Sequence, residues 1–104
     1  MRGDVFELPA PRGVRGHEQR GRRFAVVVQS DDLPLSTLLV APTSTSARPT
    51  IFRPEIEFRG RTTFVLVEQA AAVDPTRLGA WAGRLSYDEL RAVDDALRLV
   101  LSLD

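Results

Sequence analysis

Apolar and polar positions along this chain fall into short blocks, most with the spacing of β-strands. Val5-Phe6-Glu7-Leu8 predicts a first strand, stopped by Pro9 and Pro11. Phe24 to Gln29 is apolar without alternation through Val28, which predicts a strand buried on both faces. Ser30 to Leu35 reads as a polar turn holding Asp31, Asp32 and Pro34, and Thr37 to Ala41 as the next strand. Phe52 to Phe58 carries the cleanest period of two. Phe52, Pro54, Ile56 and Phe58 fall on one face; Arg53, Glu55, Glu57 and Arg59 fall on the other. Pro54 lacks a donor, so this segment predicts an edge strand or a bulge. Arg59-Gly60-Arg61 then predicts a tight hairpin turn into a strand over Thr62–Glu68.

The period changes in the last third of the chain. Asp74-Pro75 predicts a helix start, with aspartate as cap and proline at the first helical position; Gly79 and Gly83 keep that helix short. Ser86-Tyr87-Asp88-Glu89 is a capping box with acids in the first turn. Leu90, Val93, Leu97, Val100 and Leu101 follow at helical spacing, and Asp94 stands one turn before Arg98 for an ion pair. Trp81, among small neighbours, is expected to pack in the core, with a contact to a partner chain as the alternative. Short antiparallel strands plus a terminal helix predict a mainly β fold with one α element, a small and partly open barrel. Residues 1–104 read as one domain with a modest core.

Composition narrows the chemistry. No stretch approaches the ~20 apolar residues of a membrane span, and no secretory signal is visible. With no cysteine and one histidine, neither a disulfide framework nor a protein-only zinc site is expected. A cytoplasmic protein without metal or cofactor is the expectation. The formal net charge is zero, but it is unevenly spread. Residues 1–61 hold ten arginines and seven acids; residues 62–104 hold four arginines and seven acids. Every basic residue is arginine, the side chain that grips phosphate with a planar fork.

Two segments carry candidate chemistry. Residues 9–22 hold three glycines, two prolines and four arginines and read as a long functional loop. Its Gly16-His17-Glu18-Gln19-Arg20-Gly21-Arg22-Arg23 stretch runs directly into the strand at Phe24. Val40-Ala41-Pro42-Thr43-Ser44-Thr45 ends another strand in a hydroxyl cluster. A fixed cation and hydroxyl donors together can hold a phosphate. Arg12, Arg15, Arg20 and Arg22 make the loop cationic, which suits a single-stranded RNA track. Glu18 is placed either to accept a proton or to pair with Arg20 or Arg22. His17 reads as a solvated loop residue. Phe6 and Phe24 are the nearest aromatics for base stacking, with Phe24 expected in the core.

These residues resemble the MazF/PemK family, the toxin half of bacterial toxin–antitoxin pairs. The similarity lies in Arg2-Gly3-Asp4-Val5-Phe6, in Gly16 to Val27, in Ala41 to Thr45, in Val65-Leu66-Val67-Glu68-Gln69 and in Asp74 to Ser86, in that order. The resemblance implies an SH3-like barrel of the CcdB/PemK type with a C-terminal helix, working as a homodimer. It implies a metal-independent, sequence-specific endoribonuclease that cuts single-stranded RNA to 2′,3′-cyclic phosphate and 5′-hydroxyl ends. It also implies a cognate antitoxin whose acidic, disordered segment covers the site. Carried over residue by residue, Arg23 is catalytic, and Ser44 stands at a second catalytic position usually held by threonine. Glu18 joins the catalytic set as one candidate proton acceptor, and Thr43 and Thr45 stay open for that role. Gln19, Arg20, Arg22, Thr43, Thr45, Glu68 and Gln69 are the RNA-binding set. Phe24 departs from the pattern, which usually has proline after the arginine. Two other readings stand beside this one. One is a CcdB-like toxin that binds gyrase through the C-terminal helix near Trp81. The other is an inactive barrel that only binds an antitoxin.

Overall fold

The computed structural model describes residues 1–9 and 23–104. Among these residues the strands are β1 (Asp4–Glu7), β2 (Phe24–Val27), β3 (Leu38–Ser44), β4 (Glu55–Phe58), β5 (Arg61–Val65), β6 (Ala71–Val73) and β7 (Trp81–Arg84). Single 3-10 turns at Val67–Gln69 and Pro75–Arg77 and one helix, α1 (Tyr87–Leu101), complete the set. All strand pairs are antiparallel, in the order β4-β5-β3-β2-β1-β7, and β6 pairs with β3 off this path. The sheet curls into a half-barrel. Its two edges approach where Phe58 of β4 meets Gly83 of β7. A methyl group on Gly83 would lie 3.2 Å from the Phe58 ring, so the absent side chain is what admits the contact.

The central strand β2 is buried on both faces, as its sequence predicts. Val26 joins Val5, Ala41, Ile56, Val65 and Val93 in the larger core, beneath α1. Ala25 and Val27 turn the other way and pack with Val40 under Phe6, Leu8, Leu38 and Val73. The strand then ends in a bulge-like step, where the amides of Val28 and Gln29 both donate to the Leu39 carbonyl, at 3.0 and 3.3 Å.

Several local expectations hold. The β4–β5 turn is a two-residue hairpin, with positive φ at Arg59 (55°) and Gly60 (76°) and Phe58 paired with Arg61. β4 is an edge strand. Asp74 caps its short 3-10 turn by accepting from the Thr76 amide. The capping box at Ser86 is complete: Ser86 Oγ accepts from the Glu89 amide at 3.1 Å, and Glu89 Oε1 accepts from the Ser86 amide at 2.9 Å.

Other expectations are corrected. The alternation from Phe52 is strand only over Glu55–Phe58; residues 51–53 form a turn. The segment Thr62–Glu68 leaves the sheet after Val65. Leu66 takes φ −90° and ψ 74°, its amide donates to the Pro42 carbonyl at 2.8 Å, and Glu68 rises on a 3-10 turn. β3 runs three residues past Ala41 despite Pro42. The Pro42 carbonyl faces β5, so its missing N–H also faces that side and the ladder to β2 is intact. Asp94 pairs with Arg2, whose Nε also donates to the Val28 carbonyl; Arg98 pairs with Asp95 instead. Val100 and Leu101 are exposed, and Val93 and Ala96 carry the helix contact with half-buried Leu90 and Leu97. Trp81 is not in the core. It is 61% exposed on β7, its indole N–H donating to Asp4. Among the described residues no helix is long and apolar enough to cross a membrane.

Glu89 does a second task at the sheet edge. Its Oε2 accepts from the Glu57 amide at 2.9 Å, closing an N–H of edge strand β4. Ser86→Ala is expected to cost about 1 kcal/mol as a lost cap. Glu89→Ala is expected to cost about 2 kcal/mol, because it also frees the edge amide. Urea denaturation of both variants measures the difference; equal losses would show that the edge bond contributes nothing.

Candidate active site

β2 and β3 pair with Ala25 opposite Pro42, Val26 opposite Ala41 and Val27 opposite Val40. Past this ladder Thr43 lies at the Phe24 end of β2, Arg23 directly precedes that strand, and Ser44 is the last residue of β3. Two bonds fix that end. Thr43 Oγ1 donates to the Phe24 carbonyl at 3.2 Å, and the Leu8 amide donates to the Arg23 carbonyl at 2.8 Å. Directly opposed residues of an antiparallel pair share a face. Ala25, Val27 and Val40 therefore share one face, and Phe24 packs against the larger core on the other.

Arg23 is half-buried, and its guanidinium forms no hydrogen bond or ion pair with any described residue. A cation partly withdrawn from water and left without a carboxylate retains its full capacity for an incoming anion. Ser44 is half-buried at the end of β3. Its Oγ accepts from the Ser46 amide at 3.1 Å and shares a 3.5 Å hydrogen bond with Ser46 Oγ in which either hydroxyl can donate. Thr43, by contrast, already gives its hydrogen to Phe24. Thr45 is exposed at the strand end.

Glu68 and Gln69 lie on the 3-10 turn that follows β5, whose Phe64 and Val65 pair with Ser44 and Thr43. Gln69 is exposed. Glu68 is engaged: Arg53 Nε and Nη2 both donate to its Oε2, at 2.9 and 2.6 Å, and Arg53 Nη1 donates to the Arg48 carbonyl at 3.0 Å. Arg53 thus ties the segment after Ser44 to the turn after β5. The periodicity placed Arg53 on the outer face of a strand, and a partner fifteen residues away leaves no local signal. Burial works against the Glu68 carboxylate, but hydrogen bonds from Arg53 and from its own amide hold it below the ordinary value of 4.5. A depressed carboxylate contributes stability above its unfolded value and loses it as pH falls through the folded one. Wild-type stability is therefore expected to drop below pH ~4.5 more steeply than that of Glu68→Gln. Urea midpoints measured across that range check this; parallel curves would remove the assignment.

Glu18, Gln19, Arg20 and Arg22 lie outside the described residues, as do His17, Arg12 and Arg15. Of the expected site, Thr43 and Ser44 end β3, Thr45 follows, Arg23 directly precedes β2, and Glu68 and Gln69 lie on the turn after β5. Phe24 is not an open stacking ring. Its centroid is 4.9 Å from that of Phe58 in an edge-to-face contact, and the Arg59 guanidinium lies 5.0 Å above it. Among the described residues, no group of three or more His, Cys, Asp or Glu side chains is arranged to hold a metal ion.

Comparison with known proteins identifies the fold and the family. The chain is 40% identical over 104 residues to a Mycobacterium tuberculosis protein named "Putative toxin Rv3098A/RVBD_3098A", covering 99% of this chain and 98% of that protein. Among solved structures, a mycobacterial endoribonuclease in complex with its cognate antitoxin superposes with a TM-score of 0.79 at 15% identity, covering 100% of this chain and 96% of that one. MazF from Deinococcus radiodurans superposes with a TM-score of 0.73 at 23% identity, covering 97% and 94%. These two likenesses establish the fold, a MazF-type half-barrel with one C-terminal helix. Residues 1–101 match the family described as PemK-like, MazF-like toxin of type II toxin-antitoxin system. The chain belongs to that family of toxins.

Proposed function

We propose that this toxin is an endoribonuclease that cuts single-stranded RNA without a metal ion, leaving 2′,3′-cyclic phosphate and 5′-hydroxyl ends. The observation that supports the reading is a half-buried Arg23, directly before β2 and without a hydrogen bond or ion pair to any described residue, next to a strand, β3, that ends in the Ser44 hydroxyl. In such a cleavage the ribose 2′-oxygen bonds to the neighbouring phosphorus and gives up its proton. The bond from phosphorus to the 5′-oxygen breaks, and that oxygen takes a proton. Negative charge builds on the non-bridging phosphoryl oxygens as this happens. The Arg23 guanidinium and the Ser44 O–H are the donors aimed at that charge. Arg23 acts as an electrostatic clamp, its planar fork of N–H donors meeting two phosphoryl oxygens at once. Glu18 is the proposed proton acceptor. Splayed bases read at their edges would supply the sequence preference.

The same reading assigns the partners. The mycobacterial structural relative is an endoribonuclease bound to its cognate antitoxin. We infer an antitoxin here too, whose acidic segment competes with RNA phosphate for Arg23 and the arginine-rich loop, and a homodimer acting in the cytoplasm.

The test is a long single-stranded RNA with purified protein in EDTA. Discrete fragments ending in cyclic phosphate support the reading, and their mapped ends give the recognition sequence. Ser44→Ala is expected to lower the rate about 10²-fold, and Ser44→Thr to keep most of it. Intact RNA together with gyrase-dependent DNA breaks would favour the CcdB-like alternative. Intact RNA with antitoxin binding alone would favour an inactive barrel.

A further inference from the structure

We propose that Arg59 is a base-stacking site: its guanidinium takes an unpaired nucleobase of the RNA strand, at a nucleotide next to the one cut at Arg23. The proposal rests on the endoribonuclease reading above.

Arg59 occupies the first position of the β4–β5 hairpin turn with φ at 55°. Glycine or asparagine takes that conformation with less strain, so the turn itself does not call for arginine. The side chain folds back over the barrel rim. Its guanidinium lies 5.0 Å above the Phe24 ring and 5.5 Å above the Phe58 ring, and those rings brace each other at 4.9 Å. Both phenylalanines are half-buried, whereas Arg59 is exposed. It forms no hydrogen bond or ion pair with any described residue. A flat cation is therefore held near two aromatic rings by a residue that stays exposed. A planar, delocalised cation held in this way is a platform for a base: it stacks on the ring plane, and every base has such a plane.

The position fits a strand passing Arg23. Phe24 follows Arg23 directly, and alternation sends the two side chains to opposite faces of β2. Arg59 and Arg23 thus flank one strand end from its two sides. RNA gripped by its phosphate at Arg23 has to cross the rim to reach Arg59, so the stacked base belongs to a neighbouring nucleotide. Specificity then extends beyond the cut step.

The experiment uses Arg23→Ala protein, expected to cut about 10³-fold more slowly, and a fluorescein-labelled mixed-sequence oligoribonucleotide read by anisotropy. Adding Arg59→Ala is expected to raise Kd about ten-fold; adding Arg59→Lys is expected to recover only a minor part of that loss, since lysine keeps charge but not the planar face. In a protein that retains Arg23, Arg59→Ala is expected to raise KM more than it lowers kcat. It is also expected to relax the base preference at one position beside the mapped cut. Full recovery by lysine would overturn the stacking assignment. So would an unchanged recognition sequence with a lowered Tm, which is the pattern of a merely structural arginine. If the parent protein with Arg23 and Arg59 intact leaves the RNA uncut, the endoribonuclease reading fails first, and this site fails with it.

Discussion

Arg23→Ala is expected to lower RNA cleavage by about 10³-fold while leaving the fold intact. The functional half follows from position. Arg23 is a cation without a partner among the described residues, and it is the proposed clamp for the phosphoryl charge. The structural half follows from what Arg23 lacks. No ion pair or hydrogen bond of its side chain to a described residue is lost on truncation. The backbone bond from Leu8 to the Arg23 carbonyl is indifferent to the side chain. Arg23→Lys keeps the charge but not the fork that meets two phosphate oxygens at once, and is expected to fall between alanine and wild type. Single-turnover rates on one mapped RNA site, with circular dichroism on the same preparations, make the measurement. Cleavage by folded Arg23→Ala within ten-fold of wild type would remove Arg23 from the mechanism.

Ile56→Ala is expected to destabilise the protein by about 3 kcal/mol. Ile56 is 2% exposed and packs in the larger core from an edge strand. Its neighbours belong to a sheet and a helix that are fixed by many other contacts, so they cannot collapse into the space it leaves. The loss at an edge also weakens the hairpin that carries Arg59, coupling stability to the rim. Urea denaturation with an unchanged m-value is the check. A loss under 1 kcal/mol would mean that β4 is loosely attached and that Phe58 against Gly83, rather than Ile56, holds it.

What was legible in the sequence was local. The two-faced burial of β2 shows in an unbroken apolar run, the hairpin in Arg59-Gly60, the two caps in Asp74 and Ser86. Each depends on residues a few positions apart. β6 and β7 left no such trace. Ala71-Ala72-Val73 and Trp81-Ala82-Gly83-Arg84 are small or exposed residues that become strands only because Leu38–Val40 and Asp4–Phe6 offer them backbone partners. The expected Asp94–Arg98 pair gave way to Arg2, ninety-two residues from Asp94, because a charge near the sheet outcompetes one on the solvated helix face. In the site, Arg23 and Ser44 were found through their motif. Arg53 was not, since its importance lies in Glu68 and in the turn that lifts Glu68 out of the strand. Arg59 read as a turn residue, and only the stacked rings beneath it show that its side chain is held.

The pairing of β1 with β7, together with the reach of Arg2 to Asp94, has a consequence for biosynthesis. Residues made first find their partners among residues made late. The half-barrel cannot close on the ribosome until residues 81–94 have emerged, and such long-range pairing is intrinsically slow. A growing chain therefore exposes Arg2, Val5 and the β2 core before any assembled site exists. The interval between synthesis and activity is one in which an antitoxin already present in the cell can meet the protein before it is able to act.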